Sequence, residues 1–197
     1  MIIIQHRVND INMLQQTPKH LGVEIDIRSD QNELYLSHDP FVEGPSFNDF
    51  INHFDHSFIV LNVKEEGLED RCVELLRSKG IEKYFFLDQS MPFLIRRGLA
   101  GLKDGACRIS EYESLSTVNN LLLFCKWVWV DSFSSQGVSF ETLTHIKSLG
   151  LNICLVSPEL HGMDRQEEIQ SLVSLTQRLN FEIDAVCTKF PEKWAQQ

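Results

Sequence analysis

The chain has 197 residues, with 28 acidic against 18 basic side chains and a formal net charge of −10 at pH 7. This length predicts one domain over residues 1–197, and the ordinary apolar fraction allows a substantial core. The negative charge argues against nonspecific binding to nucleic acid or to anionic membranes. It does not exclude an anionic substrate, because a bound divalent cation would reverse the charge locally.

Neither a signal peptide nor a membrane span is predicted. The N-terminal sequence MIIIQHRVND lacks a basic region, and the apolar run 121–130 is short and interrupted by Lys126. The five cysteines are an odd, scattered set without a CxxC pair. They predict buried reduced thiols in a cytoplasmic protein. The sequence gives no prediction of oligomeric state.

Eight short apolar segments are predicted as strands, and helical segments separate most of them. The predicted strands are 2–5, 23–27, 58–63, 84–87, 106–109, 127–130, 152–156 and 183–187. The first helix is capped by Asn9 or Asp10, later helices are expected near 46–54, 68–79, 92–99 and 139–149, and the longest covers 164–179. Strand–helix alternation predicts a parallel sheet, and eight strands predict a small (β/α)8 TIM barrel with some short or missing helices. An open doubly wound sheet is the alternative.

The stretch 23–40, VEIDIRSDQNELYLSHDP, carries the most unusual pattern. Glu24 and Asp26 share one face of a strand whose other face is apolar. Two adjacent carboxylates repel each other and are costly to bury without a cation between them. With His38 at a loop edge downstream, the pattern indicates a hard-metal site with an acid–base partner. A buried ion-pair network with Arg7, Arg28 or Lys64 is the alternative.

Polar residues collect at the carboxyl ends of all eight predicted strands. In a barrel they would meet at one rim, where barrel active sites lie. Asn62 and Lys64 repeat the i, i+2 spacing of Glu24 and Asp26 and are expected to point inward from the neighbouring strand. The other rim residues are His6, Arg7, Asp88, Arg108, Glu111, Asp131, Glu159, His161 and Lys189.

These residues, in this order, resemble the glycerophosphodiester phosphodiesterases and, more broadly, the phospholipase C-like phosphodiesterases. The resemblance rests on His6-Arg7, on Glu24-Ile25-Asp26, on Ser37-His38-Asp39 and on a strand ending at Lys64. The segment 185–191, AVCTKFP, is similar to the closing strand and turn of the family. The resemblance covers the whole chain, and 88–92 and 108–113 look like a divergent bacterial branch.

The resemblance implies a barrel that hydrolyses a small phosphodiester, either glycerophosphodiester-like or a sugar-phosphate diester. It implies that Glu24 and Asp26 bind Mg²⁺ or Ca²⁺ and that Arg7 and Lys64 bind the phosphate. It also implies that His6 and His38 carry out acid–base catalysis.

The sequence departs from the family pattern in three places, one of which is the seventh strand, where 154–161 lacks the family's tryptophan. The family's third carboxylate is replaced by Asn62, whose carbonyl oxygen can still bind a cation with one less negative charge, and Asp88 is a further candidate ligand. The glycine of the family's His-Arg-Gly motif is replaced by Val8, so a different loop conformation is expected. These departures allow an alternative function, a catalytically impaired phosphate- or sugar-phosphate-binding barrel. A lyase that stops at a cyclic phosphate is a separate alternative.

Overall fold

The computed structural model of the chain describes residues 1–31, 33–135 and 137–195. Eight parallel strands form one sheet in the order β5-β4-β2-β1-β9-β8-β7-β6, and a ninth, β3, pairs antiparallel with β2. The strands are β1 Ile2–Gln5, β2 Gly22–Asp30, β3 Glu33–Leu36, β4 Phe58–Val63, β5 Tyr84–Leu87, β6 Ala106–Ile109, β7 Trp127–Val130, β8 Asn152–Val156 and β9 Ala185–Thr188.

The two ends of this sheet meet between β5 and β6. The Phe86 amide donates a hydrogen bond to the Asp104 carbonyl at 2.8 Å, and Phe86 bridges to Gly105 in parallel register. The sheet is therefore a nearly closed barrel, which confirms the predicted (β/α)8 fold over the open-sheet alternative.

Helices cover the outside of the barrel, and several are short, as expected. They are α1 Ile11–Gln16, α2 Phe47–Asn52, α3 Glu69–Ser78, α4 Met91–Leu99, α5 Leu115–Leu121, α6 Phe140–Ser148, α7 Glu168–Gln177 and α8 Pro191–Trp194. The single long helix predicted at 164–179 is wrong: a 3-10 helix at Met163–Glu167 precedes α7. Within the described ranges, no helix has both the length and the hydrophobicity needed to cross a membrane.

Because side chains alternate between the two faces of each strand, the barrel has one hydrophobic core under the helices and another in its interior. Outward-facing residues such as Val23, Ile25 and Ile27 pack under the helices. Inward-facing residues such as Phe85 and Trp129 fill the barrel. The lower barrel is thus closed by apolar packing, so the inward polar residues are confined to the carboxyl-end mouth. All five cysteines are buried free thiols, as predicted.

Candidate active site

The carboxylates of Glu24 and Asp26 lie inside the barrel mouth. Strand β2 is paired on both sides, with Gln5 opposite Val23 on β1 and Asp26 opposite Asn62 on β4. The two acidic side chains are almost fully buried, at 1% and 0% exposure. Burial, followed by the neighbouring charge of Asp26, raises the pKa of Glu24 to about 8. The site therefore holds one carboxyl group that resists ionisation.

Arg7 connects both acids to the loop after β1. Its backbone amide donates to Glu24 Oε2 at 2.8 Å, and its Nε lies 4.0 Å from Asp26 Oδ2. Arg7 adopts a positive φ of 55°, and the next amide, that of Val8, donates to the Glu24 carbonyl at 2.8 Å. The left-handed residue is therefore Arg7, and the Val8 side chain is buried in the outer core. Because the positive φ falls on Arg7, the loop does not need a glycine at position 8.

Asn9 is a site residue that the sequence analysis did not identify. Its side-chain amide donates to Asp26 Oδ2 at 2.7 Å, and its Oδ1 accepts from the Asp26 backbone amide at 2.8 Å. Asp10 caps α1 by accepting from the amides of Asn12 and Met13. The sequence had left the cap open between Asn9 and Asp10. With Asp10 in that position, Asn9 is free to hold Asp26.

His6 faces the same carboxylates, and its Nε2 lies 3.8 Å from Glu24 Oε2. Burial, followed by the positive charges of Arg7 and Lys189, lowers the pKa of His6 to about 3. Its Nδ1 is buried and makes no hydrogen bond to any described residue. At neutral pH the ring is therefore uncharged and has a free lone pair on one nitrogen, but the same burial and positive charges make it a weak base.

His38 lies at the exposed edge of the site, in the loop that follows β3. Its Nε2 accepts from the Arg7 guanidinium, which leaves Nδ1 to donate to Asp39 Oδ1 at 2.7 Å. The Arg28 guanidinium donates to the His38 carbonyl at 2.9 Å. The hydrogen bond from His38 lowers the pKa of Asp39. Asp39 thus fixes the tautomer and orientation of the His38 ring.

Asn62 and Lys64 complete this half of the mouth. Asn62 Oδ1 is buried and has no hydrogen-bond partner among the described residues. Lys64 Nζ lies 2.9 Å from Asp26 Oδ1. The structure thus brings together His6, Arg7, Glu24, Asp26, His38, Asn62 and Lys64, and it also contains part of the ion-pair network considered as the alternative.

The donor set suits a hard cation. Glu24, Asp26 and Asn62 supply oxygens from two adjacent strands, and an unpartnered buried carbonyl oxygen such as Asn62 Oδ1 is costly unless a ligand satisfies it. No cluster of three or more His, Cys, Asp or Glu residues suited to a metal occurs in the described part of the chain. The candidate set therefore consists of two carboxylates and one amide.

The remaining rim residues form a second group across the mouth. Asp88 pairs with Arg108, Arg108 Nη1 donates to Asp131 Oδ2 at 2.9 Å, and His161 pairs with Asp131. Asp88, a further candidate ligand, is thus engaged by Arg108. Glu159 Oε1 accepts from Thr188 Oγ1 at 2.6 Å and from the Lys189 amide at 2.8 Å.

Comparisons with known proteins identify the fold. No family model matches the sequence, and no curated protein matches it. Among solved structures, a protein assigned as a glycerophosphodiester phosphodiesterase from Galdieria sulphuraria is 15% identical, with a TM-score of 0.72 and coverage of 98% of this chain and 96% of that chain. A glycerophosphodiester phosphodiesterase from Agrobacterium tumefaciens is 14% identical, with a TM-score of 0.69 and full coverage of both chains. A glycerophosphoryl diester phosphodiesterase from Parabacteroides distasonis is 12% identical, with a TM-score of 0.63 and coverage of 99% and 85%.

Proposed function

We propose that this chain, which has the fold of the glycerophosphodiester phosphodiesterases, hydrolyses a small phosphodiester with the help of a divalent cation. The diester is glycerophosphodiester-like or carries a sugar phosphate. One observation supports the proposal most: Arg7 contacts Glu24 through its backbone and His38 through its guanidinium. Arg7, whose guanidinium is proposed to bind phosphate, thus links a proposed cation ligand, Glu24, to a proposed proton-transfer residue, His38.

Glu24, Asp26 and Asn62 are the proposed ligands for Mg²⁺ or Ca²⁺. The unpartnered Asn62 Oδ1 and the two buried carboxylates support this assignment. A bound cation would neutralise charge that develops on the phosphoryl oxygens. Asn9 holds Asp26 from behind through two hydrogen bonds, so its role is to position a ligand.

The two histidines have different environments and therefore different proposed roles. His6 is neutral and accepts the proton of the nucleophile, which is water or a neighbouring substrate hydroxyl. Asp39 holds His38 at Nδ1, and once the Arg7 guanidinium has left Nε2, that nitrogen takes a proton from solvent and passes it to the leaving alkoxide. Arg7 and Lys64 bind the phosphate oxygens, and this requires the Arg7 guanidinium to leave His38 Nε2 and Lys64 Nζ to leave Asp26. Phosphate binding thereby frees His38 for proton transfer.

The proposal is tested by turnover of a phosphodiester panel with Mg²⁺ or Ca²⁺ added to chelator-stripped protein. Alcohol release should require the cation and should fall at least about 100-fold in His6→Ala and His38→Ala, in line with the usual contribution of acid–base catalysis. His20→Ala is the matched control, because His20 is exposed in the turn before β2, at the opposite end of the barrel. No turnover of any diester with either cation would refute the proposal.

A phosphate-binding barrel without turnover is the second candidate. The Lys64–Asp26 ion pair favours it, because Lys64 Nζ takes the place where a cation would contact Asp26 Oδ1. In that case inorganic phosphate should bind equally well to the parent, His6→Ala and His38→Ala proteins, and no diester should be cleaved. Phosphorus NMR of the products separates hydrolysis from a lyase reaction that stops at a cyclic phosphate.

Two further expectations belong with this proposal. The unpaired thiols support a reducing compartment, the cytoplasm. Residues 1–197 are proposed to act as one domain, because every described strand belongs to the same sheet.

A further inference from the structure

A cavity of about 580 Å³ opens on the β5–β6 side of the barrel mouth. Its lining includes Leu87, Asp88, Arg108, Tyr112 and Phe133. None of these side chains takes part in the proposed proton transfers or cation binding. A cavity of this size beside a candidate active site can hold one substituent of a substrate.

One wall of the cavity is an aromatic ring on a tightly fixed loop. Glu111 accepts hydrogen bonds from the Phe133 amide at 3.0 Å and the Ser134 amide at 2.9 Å. Arg165 donates to the carbonyls of Ser132 and Ser134 at 2.8 and 2.7 Å. The backbone of Phe133 is therefore held from both sides, yet its side chain remains 43% exposed. Such an exposed but preorganised ring is suited to contact a ligand.

Polar side chains, Asp88, Arg108 and Glu113, line the same cavity. Arg108 lies between Asp88 and Asp131, and Asp131 also pairs with His161. The His161 ring lies 4.5 Å from the Phe133 ring, centroid to centroid, so this ion-pair network borders the aromatic ring. Arg108 and Asp88 are partly exposed and therefore offer hydrogen-bond donors and acceptors.

Because an aromatic ring and polar side chains line the same cavity, we infer that it binds a sugar ring, the hexose moiety of a phosphodiester substrate. The apolar C–H face of the ring packs on Phe133, and its hydroxyls bond to Arg108 and Asp88. The inference rests on the proposed function only in treating this sugar as one of the two alcohols of the diester.

The first test measures binding without turnover. Saturation-transfer NMR on the chelator-treated full chain uses methyl glucoside, methyl galactoside, methyl mannoside, glycerol and choline as probes. At least one hexoside should bind to the parent protein, and its affinity should fall at least about tenfold in Phe133→Ala and in Phe133→Leu, which retains an apolar side chain but loses the ring. Phe41→Ala is the matched control, because Phe41 is a fully exposed phenylalanine on a different rim loop. Hexosides that do not bind, equal binding to the Phe133 variants, or preferential binding of choline would overturn the inference.

The second test compares turnover of a hexosyl-phosphoglycerol with turnover of glycerophosphocholine. In Phe133→Ala, kcat/KM should fall at least about tenfold for the sugar diester and stay unchanged for the choline diester. An equal effect on both diesters would contradict the inference while leaving the proposed hydrolysis intact. Hexoside binding that requires Phe133, in a protein inert towards these two diesters and the rest of the phosphodiester panel, would instead refute the proposed hydrolysis and support the sugar site.

Discussion

The raised pKa of Glu24 predicts an unusual pH dependence of stability in the cation-free protein. A carboxyl group with a pKa near 8 binds a proton more tightly in the folded chain than in the unfolded chain, where its ordinary value is 4.5. Its contribution to the free energy of unfolding is therefore complete below pH 4.5 and is lost as pH rises through about 8. His6 acts oppositely: its contribution is present above 6.5 and is lost as pH falls from 6.5 towards 3.

These two effects largely cancel between pH 4.5 and 6.5, which leaves Glu24 dominant between 6.5 and 8. At about 1.4 kcal/mol per pH unit, reduced as the group approaches its midpoint, Glu24 should lower the free energy of unfolding by about 1.5 kcal/mol across this window. Replacing the ionisable group in Glu24→Gln should remove this fall. Glu74→Gln, at an exposed position of α3, is the matched control and should behave like the parent.

The assay is denaturant unfolding followed by tryptophan fluorescence, with chelator present, at half-unit steps from pH 6.5 to 8. A saturating divalent cation should abolish the fall, because it favours the ionised carboxylate. Identical pH slopes for the parent and Glu24→Gln would refute the assignment of a buried, protonated Glu24.

Three other substitutions test the site. Asn62→Asp should tighten cation binding about tenfold by adding a charged oxygen ligand, as measured by calorimetry; weaker binding would exclude position 62 from the ligand set. Asn9→Ala should lower the free energy of unfolding by about 1–3 kcal/mol and weaken cation binding, because Asp26 loses two hydrogen bonds; unchanged values for both would contradict its positioning role. Lys64→Ala should raise KM for the diester while tightening cation binding, because the competing ion pair with Asp26 disappears; weaker cation binding would contradict this account.

The barrel and much of its mouth are predictable from sequence because both depend on periodicity. Eight apolar segments and their polar carboxyl ends identify the sheet and its rim. The alternation of Glu24 and Asp26 with apolar neighbours places both acids inside the barrel. The residue types around them then favour a cation and phosphate chemistry.

The features that sequence analysis missed depend on tertiary contacts. Asn9 and Asp10 are equally good helix caps by residue type, and only the position of β2 shows that Asn9 binds Asp26. Strand β3 pairs antiparallel with β2, and the sequence between the two strands contains no glycine, so the usual hairpin signal is missing. The predicted long helix at 164–179 begins instead with a 3-10 segment, in which Arg165 binds the Ser132 and Ser134 carbonyls. These contacts also fix the Phe133 loop, so its ligand-facing role is not visible in sequence.

The most direct test of the central claim is a crystal structure of the protein grown with Mn²⁺ as an anomalous stand-in for Mg²⁺. The account predicts one cation in contact with oxygens of Glu24, Asp26 and Asn62, at about 2.0–2.3 Å, with Lys64 Nζ displaced from Asp26 Oδ1. A site without anomalous density, with Lys64 still paired to Asp26 at saturating Mn²⁺, would contradict it.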